Sequence, residues 1–294
     1  MPLQGVTCPI RIEVKHPFLI VQNLKRTDSL FHIYNLTNHE LKNAFGIIGQ
    51  GPVDFVLPEL FLTQLSDILI GDVNTNFVYR FGISEEGQPM FKKSIRPNNI
   101  YSVWDAAFIN DSLYVVEVFG ESGHFCLLTL QDEEPKKSWH YSNSDIHKYE
   151  EANMGYMYAN ESRIAFCYGY KKQIDMMDTE FNLIKRVKFK YDHPVNISAY
   201  DEEDVKMSYI AGYLGKRYLY VLFMGTSWNE LRAKSLRGTF LEVFDLDGNP
   251  VVRYSLDGIG PINYVVDEET FTLYGSGDDG EPEDYLLVYQ LKGL

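Results

Sequence analysis

Met207–Leu214, Tyr218-Leu-Tyr-Val221, Phe240-Leu-Glu-Val-Phe244 and Val251-Val-Arg-Tyr-Ser-Leu256 are four short runs rich in aromatic and β-branched residues. Between the last two stands Asp245-Leu-Asp-Gly-Asn249. Asp-Gly flanked by alternating apolar residues is a strong hairpin signal. The fourth run alternates with charge, which suits an outermost strand washed by solvent, where charge also discourages edge pairing. The four runs read as one antiparallel sheet.

The same unit recurs along the chain. Its second strand returns as Phe18-Leu-Ile-Val21, Ile68-Leu-Ile70, Leu113-Tyr-Val-Val116, Arg163-Ile-Ala-Phe166 and Phe271-Thr-Leu-Tyr274. Counted through Leu19, Leu69, Tyr114, Ile164, Leu219 and Thr272, the steps are 50, 45, 50, 55 and 53 residues. Charged outer runs follow at Met90-Phe-Lys-Lys-Ser-Ile95 and Leu183-Ile-Lys-Arg-Val-Lys-Phe189, and inner runs precede at Tyr101–Ile109 and Met154–Ala159. Six even repeats predict an all-β chain, a six-bladed β-propeller of four-stranded antiparallel blades in a single domain over residues 1–294. A β-sandwich would explain the strand density but not the spacing. The best helical candidate is a short stretch at Ser227–Leu236. The sixth unit ends at Leu294 without an outer strand. Ile10-Arg-Ile-Glu-Val14 is therefore expected either to complete that blade or to form the inner strand of the first.

Composition narrows the partners. With 27 basic against 41 acidic side chains the net charge is −14, which repels duplex phosphate, so no nucleic-acid partner is expected. Cys8, Cys126 and Cys167 suit neither a disulfide framework nor a zinc spacing. No window has the apolar length of a membrane span. Met1–Cys8 lacks a basic and an apolar region of the kind an export signal carries, which leaves a cytoplasmic protein or a trimmed mature chain as the two readings.

Two motifs carry a resemblance. Phe45-Gly-Ile-Ile-Gly-Gln-Gly-Pro52, with Asp54 following, resembles the blade-linking signature of TolB-like six-bladed propellers of Bacteroides-type bacteria. Leu241–Asp257, continued by Tyr264-Val-Val-Asp-Glu268, resembles a second segment of the same group. Val53 and Asp54 replace the usual Gly-Glu pair, and Leu246 stands where an aromatic is common. The resemblance implies the propeller fold and a periplasmic or cell-surface location, and it assigns no activity. Gly46, Gly49 and Gly51 lie between strands, which disfavours a phosphate-cradling loop; they are expected to supply positive φ, with Pro52 fixing the exit. Asp245 and Asp247 lack the closing acidic residue of a calcium loop.

Loop lengths point to one end of the propeller. With strands A to D counted outward, the A–B and C–D turns are short, for instance Asn110-Asp111, Asn160-Glu161 and Gly215-Lys216. The B–C and D–A connections hold the insertions Ser142–Asn153, Lys190–Lys206, Met224–Gly238 and Ser276–Glu283, which together carry −7, half of the net charge. Long loops on one end of a rigid scaffold are the usual place for recognition. Candidate ligand contacts are Trp104, Asp105, Tyr158 and Tyr213 near the channel, with Trp228 and Arg232 in the Met224–Gly238 insertion. The seven histidines form no zinc motif, and no Gly-x-Ser-x-Gly elbow exists. The expected function is therefore non-enzymatic recognition of a protein, peptide or glycan on the long-loop face by a monomeric chain without a cofactor. The alternative is a calcium-dependent hydrolase or lactonase, with Asp105, Asn160 and Asp267 as the metal candidates. Asn35-Leu-Thr, Asn110-Asp-Ser, Asn160-Glu-Ser and Asn196-Ile-Ser also match a glycosylation sequon, a pattern that arises easily by chance.

Overall fold

Each repeat folds as a sheet whose strands follow one another outward in chain order. A computed structural model describes residues 1–24, 29–51, 53–99, 101–118, 123–140, 154–189, 204–233, 239–256, 260–277 and 283–294. The first blade is β1 (Pro9–Lys15), β2 (Phe18–Asn23), β3 (Phe31–Asn35) and β4 (Leu41–Phe45); the second is β5 (Pro58–Leu60), β6 (Ile68–Asp72), β7 (Phe77–Ile83) and β8 (Pro89–Ile95). The third is β9 (Ala107–Phe108), β10 (Leu113–Glu117), β11 (His124–Thr129) and β12 (Lys137–His140). The fourth is β13 (Gly155–Ala159), β14 (Ile164–Tyr168), β15 (Gln173–Met177) and β16 (Leu183–Lys188). The fifth is β17 (Tyr209–Leu214), β18 (Tyr218–Phe223), β19 (Phe240–Asp245) and β20 (Pro250–Ser255). The sixth has β21 (Asn263–Asp267), β22 (Thr272–Ser276) and β23 (Leu287–Gln290). First strands of successive blades pack side by side, β9 on β13, β13 on β17, β17 on β21, and β21 on β1, which also meets β5. The ring closes.

Burial follows the strand order. β2 is buried throughout, while β8 and β20 are largely exposed, as expected for middle and outer strands. Apolar side chains from neighbouring blades interlock between the sheets. Phe18, Ile20 and Phe31 of the first blade meet Ile68, Ile70 and Tyr79 of the second. Tyr220 and Leu222 of the fifth, Val265 and Leu273 of the sixth, and Leu19 and Val21 of the first share one cluster, which seals the ring.

The sixth blade resolves the N-terminal question. β1 is the inner strand of the first blade, and a different segment supplies the clasp. Met1 N and O bond Leu286 at 2.8 and 2.7 Å, and Leu3 N–H donates to Asp284 O at 2.7 Å. Leu291 N–H points the opposite way, donating to the O of Phe271, the residue just before β22. Met1–Leu3 therefore pairs along the outer edge of the sixth blade, which among the described residues has three strands plus this short pairing.

Outer-strand charges do more than face water. Arg186 of β16 reaches back to Asp175, which is 1% exposed, with Nε and Nη2 both at 2.7 Å from its carboxylate, while Tyr168 donates to the same carboxylate at 2.9 Å. In the fifth blade Glu242 takes the same place. It accepts from Tyr209 at 3.0 Å and from Lys172 of the fourth blade at 2.6 Å, with Arg253 at 3.5 Å. Buried carboxylates are tolerated because each is paired and hydrogen-bonded.

The linker Gly46–Leu57 joins the first blade to the second, as its sequence suggested. Only Gly46 has positive φ, at 77°. Gly49 and Gly51 are glycine for another reason. A Cβ on either would collide with the Asp54 carboxylate, which accepts the Gly51 N–H at 2.7 Å. Pro52 lies outside the described residues. The predicted helix forms as α1 (Trp228–Arg232), opened by a capping box in which Ser227 Oγ accepts Glu230 N–H and Glu230 Oε2 accepts Ser227 N–H, both at 3.1 Å.

Candidate functional site

Because all six inner strands face the axis, their side chains enclose a cavity of about 660 Å³ there. Gln64, just past β5, crosses the channel from the second blade to the opposite fifth, donating to Tyr213 Oη at 2.8 Å and to Leu214 O at 3.3 Å. Its two partners, Tyr213 and Leu214, line the cavity. Beside it, Lys15 donates to Glu13, to Thr63 O at 2.6 Å and to Thr63 Oγ1 at 3.0 Å, all buried. Arg11, Glu13 and Lys15 alternate along β1 and so share one face.

The other end of the cavity is where the D–A connections enter. There Arg11 Nη2 donates to Glu59 and, at 2.6 Å, to Asp105 Oδ1. Glu59 Oε2 in turn accepts the Asp105 N–H at 3.1 Å. Asp105 has φ of 49° and its side chain is 65% exposed. Burial raises the Glu59 carboxyl to about 7 against the pull of Arg11, and the neighbouring Asp105 charge adds to the rise. Tyr156 and Tyr158 of β13 complete this rim. The Tyr158 ring lies on Gly212 of β17, where a Cβ would stand 2.6 Å from ring Cε2. Burial pushes the Tyr158 and Tyr213 hydroxyls well above their ordinary range. Acceptors, aromatic rings and one engaged cation thus share this rim.

A family model described as TolB-like 6-blade propeller-like matches residues 4–269. The chain belongs to the TolB-like six-bladed propeller family. No curated protein matches it. Among solved structures, a member of the DUF4221 family from Bacteroides vulgatus is similar at 12% identity and TM-score 0.61, over 99% of this chain and 96% of that one. A candidate exported protein from Bacteroides fragilis gives 12% identity and TM-score 0.58, over 94% and 83%. Virginiamycin B lyase from Staphylococcus aureus gives 9% identity and TM-score 0.51, over 100% and 88%. At such identities the likeness shows the fold alone.

In this TolB-like propeller the residues singled out from sequence separate. Asp105, Tyr158 and Tyr213 line the cavity. Trp104 is exposed in the segment leading into β9, beside the mouth in sequence but outside the lining. Trp228 packs against the buried core cluster rather than covering the cavity, because α1 folds back onto it. Arg232 ends α1, and its side chain is outside the described residues. So are most of the four long insertions, residues 141–153, 190–203, 234–238 and 278–282. Of the other aromatics, Tyr209 is core, held by Glu242.

The three metal candidates do not share a site. Asn160 and Asp267 cap A–B turns: Asn160 Oδ1 accepts Ser162 and Arg163 N–H at 2.9 and 2.8 Å, and Asp267 Oδ1 accepts Glu269 N–H at 3.0 Å. Asp105 is at the opposite end. It contacts Arg11, whereas Asp267 contacts His16 at 3.1 Å, five residues further along the first blade, roughly 16 Å for extended chain. The Asn-x-Ser sequons at Asn110 and Asn160 are explained by the same turn chemistry, since each Asn side chain accepts the Ser N–H. Arg11 and Glu59 are not among the sequence candidates. The signal for Arg11 was present in Arg11-Ile-Glu-Val-Lys15, charges at alternate positions of an inner strand; Glu59 sits in a strand too short to show a pattern.

Proposed function

We propose that the protein is a non-catalytic binding propeller of the cell envelope, receiving a protein, peptide or glycan at the end where the D–A and B–C connections gather, with the axial cavity as its pocket. The observation that carries this reading is the cavity itself, walled by residues of every inner strand and rimmed by Asp105, Tyr156 and Tyr158. A pocket of this size between rigid strands is a usual place for a ligand. The insertions expected at that end carry −7 of the net charge in sequence, which favours a ligand with basic groups. The candidate exported protein among the similar structures supports the envelope location. No helix among the described residues is long and apolar enough to cross a membrane.

Filling the pocket tests the reading. Ala107 of β9 lines the cavity, so Ala107→Trp should occupy it. Ligands selected from peptide and glycan libraries on the native protein should lose about tenfold or more in affinity for this variant, with its thermal unfolding little changed. Equal binding to both proteins would place recognition elsewhere.

A further inference from the structure

The cavity wall carries one cation against three carboxylates: Arg11 against Glu59, Asp105 and Glu117. Arg11 is already engaged by Glu59 and Asp105 together. An anionic group entering here would meet surplus negative charge and a guanidinium whose donors are shared out. The hydroxyls of Tyr156 and Tyr158 have no hydrogen-bond partner among the described residues, although both residues line the cavity. Asp105 offers a largely exposed carboxylate beside them. Each phenol oxygen can accept while its own O–H turns to a carboxylate, so with the Arg11 donors taken up the free capacity of the rim is mainly that of an acceptor. An ammonium brings three N–H donors and no acceptor, and a guanidinium five, which is the complement of this set.

We propose that the rim takes the ammonium or guanidinium of a lysine or arginine side chain from a peptide ligand, seated between Asp105 and the hydroxyls of Tyr156 and Tyr158, with Glu59 as the second carboxylate. This inference rests on the binding reading above and names its ligand class. Leu60, Phe61, Met157 and Ile210 supply apolar wall for the methylene stem, as long basic side chains prefer. The groups facing Glu59 are Arg11 from β1 and Asp105 ahead of β9, with Tyr156 and Tyr158 of β13 next to those two. Because burial keeps Glu59 protonated towards neutrality, a bound cation expels that proton, and affinity rises with pH.

The test titrates the full chain with acetyl-Gly-Gly-Lys-Gly-Gly-amide and its arginine counterpart, followed by NMR. Comparators are the same peptide with acetylated lysine, a glutamate version and free glucosamine. The basic peptides are expected to bind about tenfold or more tighter than the acetylated one, and Asp105→Asn to remove about that factor. Glu59→Gln should also abolish the rise in affinity between about pH 6 and about pH 8. Glu161→Gln, which drops the same charge at the opposite end, should change nothing. Equal binding of the acetylated peptide, preference for glutamate or glucosamine, no binding of basic peptides, or binding indifferent to Asp105→Asn each overturns the inference. The broader reading survives any of these if library ligands are still excluded by Ala107→Trp, and fails separately if they are not.

Discussion

Gly212 and Glu59 are the two residues on which the rim depends most. Gly212→Ala puts a methyl into the space of the Tyr158 ring, so it should cost roughly 1–3 kcal/mol in denaturant unfolding and displace that ring from the cavity wall. A variant as stable as the parent would show that the ring yields freely. Glu59 gives a pH signature. Its carboxyl is held near 7 in the folded chain, above its ordinary value of 4.5, so the folded state binds the extra proton between those limits. Stability from this group is fully present below about pH 4.5 and is lost as pH rises through about 7, roughly 3 kcal/mol in all. Unfolding free energies of native protein and Glu59→Gln across that range should diverge accordingly; parallel curves would refute the burial account.

Hairpins explain how much of the fold could be read from residues. Asp245-Leu-Asp-Gly-Asn249 turns β19 into β20, with Gly248 at φ 74° and Asp245 accepting the Asn249 N–H at 2.8 Å. Asp178 with Phe181 at φ 61° and Asn182, and Ser84 with Gly87 at φ 82° and Gln88, build the same turn in other blades. A one-residue bulge follows in each hairpin. One of the three announces itself through Asp-Gly; the others are hidden because the positive-φ residue is Phe or the cap is Ser. Strand identities were legible through apolar spacing, whereas the inward reach of Arg186 and Arg253 was not, since sequence shows alternation but not which buried carboxylate waits across the sheet. Asp175→Asn, which strips the charge facing Arg186 and Tyr168, should destabilise the fourth blade by about 2–4 kcal/mol, read as a fall in denaturant midpoint. No change would mean that the pair is merely neutral.

The whole ring closes through Met1–Leu3. Met1–Leu3 contributes three backbone hydrogen bonds to the sixth blade and buries Leu3. Deleting these three residues should cost roughly 3–6 kcal/mol in unfolding, since both hydrogen bonds and apolar burial are lost at the seam. An unchanged midpoint would show that the β1–β21 contact and the shared core cluster hold the ring unaided. The ring was legible from the even period; its clasp was not, because Met1-Pro-Leu3 is too short to carry a strand pattern. The cavity was half legible: Asp105, Tyr158 and Tyr213 came from inner-strand position, while Arg11 and Glu59 meet only once blades one, two and three stand around the axis. A co-crystal structure with a library-selected ligand tests the binding account most directly. Ligand density on the axis, in contact with Asp105 and Tyr158, is the predicted result. Density on the C–D turns or the outer strands, with the cavity unchanged, would contradict it.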